Sequence, residues 1–274
     1  IKHEGKNTAL SSLRVAGGST TELTATGWYY GNKVYSADTS FTWSVSDALG
    51  TIDEDGTFTA VQTGRDVTGT LTVTYGETSC TLPVTVGSSQ PFDDTKGHWA
   101  ESYITELYYA GTLQGSEKNG KLYYRPDASM TRQEFIVAMM RYLGTDLSAY
   151  ASVQLPFDDS GSIASWAKSA MQAAYQLGYL TGSKTNGKLL AKPGSTISRQ
   201  EAMTILSRTK DFADADLNVL SAFSDSGKIA DWARTALAQM TQQKIISGSK
   251  GKLNPTGKVT RAEVAKMLYM LSER

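Results

Sequence analysis

Three things are scarce in this chain. Its 274 residues include one cysteine, Cys80, and two histidines, His3 and His98. A single cysteine excludes an internal disulfide framework and a thiolate metal cluster. The two histidines lie far apart in regions of different composition, so they support no Ser/His/Asp arrangement. No apolar run approaches the ~18 residues that a membrane-spanning helix needs. An excess of charge of one sign is also missing, because 27 Lys and Arg balance 27 Asp and Glu. No global field therefore draws the chain to nucleic acid or an acidic membrane, and basic patches with interleaved aromatics are absent. An anionic partner has to be held locally. No signature calls for a cofactor, and "DEDG" at residues 53–56 lacks the later ligands and distal Glu of a calcium loop. The start at Ile1, without a charged and apolar leader, suggests a processed or excised chain with a further domain upstream.

What is present is a folded composition, 40% hydrophobic and 20% charged, in a chain long enough for more than one domain. Residues 1–87 are rich in Thr, Val and Gly and carry short alternating runs such as "FTWSVS", "GTFTA", "GTLTVTYG" and "CTLPVTVG". Such runs, separated by turn signals, predict a small all-β sandwich. Asp55-Gly56 suits a tight hairpin. Alternation places Phe41, Trp43 and Val45 on one strand face and Leu71, Val73 and Tyr75 on another, as candidate core. Cys80 reads as a small buried hydrophobe. At "GSSQP", residues 87–91, a short linker is expected.

Beyond it, the sequence repeats three times. Phe92, Phe157 and Phe223 recur at spacings of 65 and 66 residues, and Trp99, Trp166 and Trp232 at 67 and 66. Each Trp is followed after 16 residues by a Gly-Ser pair: Gly115-Ser116, Gly182-Ser183 and Gly248-Ser249. Then come Pro126, Pro193 and Pro255, each followed five residues later by "TRQE" (131–134), "SRQE" (198–201) or "TRAE" (260–263). The third copy is four residues shorter between its Gly-Ser and its Pro. Each repeat should hold two helices. The first has Trp99, Tyr103, Ile104 and Leu107 on one face, with Gly111 or Gly115 as its end. The second is opened by a capping box in which Thr131, Ser198 or Thr260 exchanges bonds with Glu134, Glu201 or Glu263. Phe135, Ile136, Met139, Met140 and Leu143 form its apolar stripe. Repeats of this size carry little core alone, so the three should pack together.

These motifs resemble the S-layer homology (SLH) family across residues 92–271. The resemblance rests on the F-x-D starts at Phe92/Asp94, Phe157/Asp159 and Phe223/Asp225, the "WA" pairs, and the "TRAE"-type tetrapeptides. Ser198, Gln133 and Gln200 are small departures from the usual tetrapeptide. The run "FTWSVSDALGTIDEDGTFTAV" likewise resembles the bacterial Ig-like domains that serve as spacers in secreted bacterial proteins. Together these imply a multidomain chain. An Ig-like sandwich over residues 1–87 precedes a mainly α, pseudo-threefold SLH trimer with repeats at 88–143, 144–208 and 209–274. The SLH resemblance also implies noncovalent attachment of an exported protein to secondary cell-wall polysaccharide of a Gram-positive-type bacterium. The contact would be made in grooves between repeats, often through a pyruvylated sugar.

Within each tetrapeptide, Glu is needed as the cap partner. Arg132, Arg199 and Arg261 are not, and they place a positive charge at the positive end of a helix dipole. Each is either tolerated on a polar face, or paired with an acid, or combined with helix N-terminal N–H groups into an anion site. Trp99, Trp166 and Trp232 read by default as core, and in the alternative as platforms for a sugar ring. Asp94, Asp159 and Asp225 either cap the turn that follows or bind sugar hydroxyls. The Gly-Ser pairs are expected first as helix ends, with Ser hydroxyls available to a ligand. Catalysis is poorly supported. A two-carboxylate glycoside hydrolase using Asp94 and Glu134 would need three equivalent sites and a carboxylate already used as a cap. Self-assembly into a surface lattice is the other alternative to anchoring.

Overall fold

The computed structural model describes residues 1–5, 9–29, 32–33 and 41–272. They form two compact units. One comprises residues 1–97, 108–110 and 116–123, and the other residues 98–107, 111–115 and 124–274.

The first unit is built on strands β1 (Lys2–His3), β2 (Leu13–Ala16), β3 (Thr20–Thr24), β4 (Trp28–Tyr29), β5 (Asn32–Lys33), β6 (Thr42–Val45), β7 (Gly50–Ile52), β8 (Thr57–Ala60), β9 (Val67–Tyr75) and β10 (Thr78–Gly87). Two four-stranded sheets result, ordered β1-β3-β8-β7 and β2-β10-β9-β6. The long strand β10 pairs antiparallel with β9 over its length and parallel with β2 at its end, where Gly87 faces Ala16. Alternate residues Leu82, Val84 and Val86 of β10 point inward. They join Leu13, Leu23, Phe58 and Leu71 in one cluster drawn from both sheets. Trp43 and Val45 pack against it half-buried.

Two core expectations fail here. Tyr75 is 42% exposed and Cys80 is exposed. Both have the inward parity, but they lie towards the β9–β10 turn, where Cys80 faces Val73 and Thr78 faces Tyr75, beyond the last β10 residue of the cluster, Leu82. The "DEDGT" turn does join antiparallel strands β7 and β8. It is wider than a two-residue hairpin: the Asp53 N–H donates to Thr57 O, and Gly56 takes the left-handed conformation at φ +87°, as in three-residue loops with a bulge. The expected linker is also tied down. Ser89 donates to Thr63 O, and the Ser88 carbonyl accepts from the hydroxyl of Tyr109. Burial, and next the charge of Asp66, push the Tyr109 phenol up to about 12. The same unit contains a short hairpin of β11 (Ser116–Lys118) and β12 (Lys121–Tyr123).

The second unit holds helices α1 (Glu101–Tyr109, up to Leu107), α2 (Arg132–Tyr142), α3 (Lys168–Gln176), α4 (Arg199–Ser207), α5 (Asp231–Gln242) and α6 (Arg261–Ser272). It also holds a second hairpin, β13 (Ser183–Thr185) and β14 (Lys188–Leu190). Helix α2 buries Phe135, Ile136, Met139 and Met140 completely, as its periodicity predicts. At the first helix of each repeat, the buried stripe starts at the Ala of "WA", which stands just before α1 and α3 and inside α5. Ala100, Ala167 and Ala233 are fully buried, and the stripe continues through Ile104 and Leu107, Ala170 and Ala174, or Ala236 and Leu237.

The residues just before α2, α4 and α6 are joined in a closed ring. Met130 N–H donates to Val259 O at 3.1 Å, Val259 N–H to Ile197 O at 3.1 Å, and Ile197 N–H to Met130 O at 3.0 Å. All three side chains are buried. Three segments more than sixty residues apart thus satisfy one another's backbone, and this ring fixes where the three helix starts lie.

Candidate functional site

The capping boxes form as the sequence predicts. Thr131 and Ser198 accept from the N–H of Glu134 and Glu201 while those carboxylates accept from the cap N–H. Thr260 and Glu263 do the same at α6. The next two N–H groups of each helix are also taken. Arg132 and Gln133 donate to the carbonyls of Ser195 and Pro193, Arg199 and Gln200 to Gly257 and Pro255, and Arg261 and Ala262 to Ala128 and Pro126. Every orphan donor at these helix starts therefore has a partner. The expected anion site made of bare helix N–H groups is not there, because the preceding loop of another repeat fills it.

The arginines are not on an exposed polar face. Arg132 and Arg261 are 8% exposed, and each guanidinium reaches into another repeat. Arg132 Nε donates to Ala191 O at 2.9 Å and Nη1 to Glu201 at 2.8 Å. Arg199 Nε donates to Leu253 O at 2.8 Å and Nη1 to Glu263 at 2.6 Å. Arg261 Nε donates to Tyr124 O at 2.7 Å and Nη2 to Gln114 O at 2.9 Å, with Glu134 at 3.9 Å from Nη1. Its guanidinium also lies over the Tyr124 ring, 4.5 Å from the centroid. Each Glu thus caps its own helix with one oxygen and meets an Arg from another repeat with the other, which offsets the unfavourable placement of the Arg charge. Burial lowers the Arg132 pKa, opposed by Glu201 and Asp159, but a guanidinium stays charged even so.

The three tryptophans are the largest departure from expectation. Trp99, Trp166 and Trp232 are 54%, 57% and 58% exposed. The adjacent Ala occupies the core position in each repeat; at Trp232, inside α5, one residue along the helix turns the side chain by about 100°. Two of them line grooves. One groove, of about 340 Å³, is lined by Trp232, Arg132, Gly182, Ser183, Glu201 and Arg208 among others. The other, of about 670 Å³, includes Trp99, Arg199, Gly248, Ser249, Glu263 and Lys266. Each brings together an Arg from one repeat, a Gly-Ser pair and Glu from the next, and the Trp of the remaining one. In the smaller groove, Arg208 donates to Tyr179 O. Burial first, and then the charge of Arg132, lower its pKa, so two like charges share this wall.

The Gly-Ser pairs do not end helices. Those ends fall at Gly111, Gly178 and Lys244, all with positive φ, where N–H groups of Thr112, Tyr179 and Ile245 return to Leu107, Ala174 and Met240. Ser116 and Ser183 instead begin β11 and β13, and Ser249 bridges to Lys252. Gly182 and Gly248 have positive φ, and a Cβ on either would collide with the ring of Phe157 or Phe223. Gly is thus required there by backbone and neighbour alike.

Asp159 and Asp225 make no cap to the turn that follows. Asp159 accepts from the N–H of Ala191 and Lys192, and Asp225 from those of Leu253 and Asn254. Lys192 and Asn254 are left-handed residues immediately before proline, a conformation that both the Cβ and the proline disfavour. These carboxylates brace those turns, and Leu253 and Asn254 line the Trp99 groove. Although burial works against it, the two N–H groups hold the Asp225 carboxyl below the usual carboxylate range. Asp94, the first-repeat counterpart, is half-buried in the other unit.

Sequence reasoning missed Arg208 and Lys266 as groove residues; they stand nine and five positions beyond the Arg of their helices. It also passed over the Gln departures. Gln133 and Gln200 accept from the N–H of Ala164 and Ala230 in the following repeat, which Ala262 cannot do in the third.

A family model for the S-layer homology domain matches residues 91–136, 156–203 and 222–265. The chain therefore belongs to the S-layer homology family, whose domains are non-catalytic anchors at the bacterial cell surface. An amylopullulanase of Thermoanaerobacterium thermosulfurigenes is 28% identical over 74% of this chain and 10% of its own length. The exoglucanase XynX of Acetivibrio thermocellus is 28% identical over 85% of this chain and 21% of its own length. A surface-layer 125 kDa protein of Lysinibacillus sphaericus is 32% identical over 45% of this chain and 10% of its own length. The chain thus spans between a tenth and about a fifth of these relatives. The matched domain, together with a surface-layer relative, assigns it to cell-surface association.

Proposed function

We propose that this chain anchors an exported protein to the wall of a Gram-positive-type bacterium by binding secondary cell-wall polysaccharide in grooves between its SLH repeats. The observation that carries the reading is the composition of the two grooves, each with an exposed Trp, a Gly-Ser pair and a charge-bearing Arg-Glu pair contributed by three different repeats. The Trp face covers the apolar side of a pyranose. The Ser183 or Ser249 hydroxyl and the backbone beside Gly182 or Gly248 take sugar hydroxyls. Arg132 or Arg199 directs the donors not used by Glu at an anionic substituent such as a pyruvate ketal. Arg261, Trp166 and Gly115 are the corresponding residues of a third groove in a pseudo-threefold trimer. Asp159 and Asp225 serve binding by bracing the turns before Pro193 and Pro255. The β-rich region is an Ig-like spacer, and the anchored activity resides in a further domain of the same protein. Several shallow sites acting together supply the attachment.

The test is sedimentation of the chain with purified cell-wall sacculi. Binding is expected, with loss after the secondary polymer is chemically stripped, and weakening in Trp99→Ala and Trp232→Ala. Unchanged binding to stripped sacculi overturns the polysaccharide reading. Concentration-dependent oligomers with no calorimetric glycan binding favour a lattice-forming module instead.

A further inference from the structure

The two grooves differ in charge and size in a way that the repeat pattern does not require. In the second repeat, nine residues lie between Ser183 and Pro193, and most of them belong to the hairpin β13–β14. In the third, the loop is four residues shorter. It closes with a single bridge, Ser249 to Lys252, across Lys250 and Gly251, both left-handed. The groove beside this short loop has about twice the volume of the other. Its wall carries Arg199, Lys250, Lys252 and Lys266 against one carboxylate, Glu263. The Trp232 groove has Arg132 and Arg208 against Glu201.

Arg199 is already committed to Glu263 at 2.6 Å. None of the three lysines forms an ion pair among the described residues, and Lys266 Nζ stands 6.0 Å from the centroid of the Trp99 ring. At the position of Lys266, the Trp232 groove has Thr204, whose hydroxyl is spent on Gln200 O. A sugar stacked on Trp99 therefore meets an ammonium beside the ring, and further along the groove it meets two more.

We propose that the Trp99 groove selects a glycan segment carrying two separate negative charges on adjacent sugars, whereas the Trp232 groove takes a single anionic sugar. Arg199 and Lys266 read the first charge, and Lys250 with Lys252 reads the second, in the space opened by the shorter loop. The proposal rests on the groove reading above and adds an inequality to it.

The experiment titrates the full chain with two probes, a methyl hexosaminide bearing one pyruvate ketal and a disaccharide bearing two. The indole N–H resonances of Trp99 and Trp232 report which groove fills, and calorimetry gives the affinities. The doubly charged probe is expected to perturb Trp99 first and to bind there at least about tenfold more tightly than the monoanion, or about 1.4 kcal/mol. In Lys250→Gln/Lys252→Gln, that preference should vanish while the Trp232 response stays unchanged. Equal affinity of the two probes at Trp99, or a preference that survives the double substitution, overturns the proposal and leaves the groove reading intact. If neither probe moves either indole, the groove reading itself fails, and the inequality falls with it.

Discussion

The β-rich region and the ring of SLH helix starts are held together by different physics. In the first unit, two sheets close on an apolar cluster in which Phe58, Leu71 and Val86 are fully buried, a non-directional force roughly proportional to area. In the second, the helix stripes are also apolar. Their starting points, however, are set by directional bonds: a closed ring of three backbone contacts and two short Arg-Glu pairs between repeats. Area can stabilise many arrangements, but bonds of fixed geometry single out one. A groove assembled from three repeats needs the second kind of constraint, and a single apolar cluster needs only the first.

That contrast can be broken from either side. Phe58→Ala should cost the β-rich unit about 3–5 kcal/mol, the range for emptying an aromatic core site, seen as faster hydrogen exchange in β8, β9 and β10 with the α2 and α4 amides unmoved. Arg199→Met leaves Glu263 partly buried without its cation and the Leu253 carbonyl without its donor. The side chains of this pair are 11% and 31% exposed, so the expected loss is up to about 3 kcal/mol, the lower end for a broken buried pair. Thermal unfolding followed at 222 nm reads it, and Glu263→Gln should recover part of the loss when combined with Arg199→Met.

Smaller effects sharpen the comparison. Because the folded pKa of Asp225 is depressed, its contribution is fully present above the unfolded value of about 3.9 and is lost as pH falls through the folded one. Asp225→Asn should therefore lower stability at neutral pH and flatten the acid limb of the stability profile, as urea titrations between those limits would reveal; an unchanged acid limb refutes the assignment. Cys80 gives the smallest expected effect on the fold. Its exposed thiol should react with a disulfide reagent at the rate of a free thiol in the native chain, with no change in melting temperature, and protection until unfolding would contradict its placement.

Much of the fold was legible. The alternation of β9 and β10, the stripe of α2 and all three capping boxes are local patterns, in which a residue's neighbours along the chain are also its neighbours in space. The errors arose where that equivalence fails. Tyr75 and Cys80 have core parity, but the parity of a strand says nothing about where the opposing sheet ends. The tryptophans stand one residue before the buried position, and Trp and Ala of "WA" are both compatible with an apolar stripe. The Gly-Ser pairs have the composition of a helix end, while Gly111 and Gly178 actually hold that role. The site was legible as a set of repeated residues, but not as a set of neighbours. Nothing along the chain states that Arg132 meets Glu201 rather than Glu134.

By itself, the sequence determined that there are three equivalent repeats, that a β-rich region precedes them, and that each TRAE-type segment starts a helix. Propensity, capping and periodicity act over a few residues and can be read in order. Only the tertiary structure decided the task of the arginine at each helix start. Closing the three segments into a ring brings the Arg of one repeat onto the Glu of the next, and it fills the bare N–H groups that an anion would otherwise have used. It also turns Trp99 and Trp232 outward onto grooves that no single repeat contains. Those outcomes depend on contacts made across some sixty residues, where the energy is set by geometry in space and leaves no local trace.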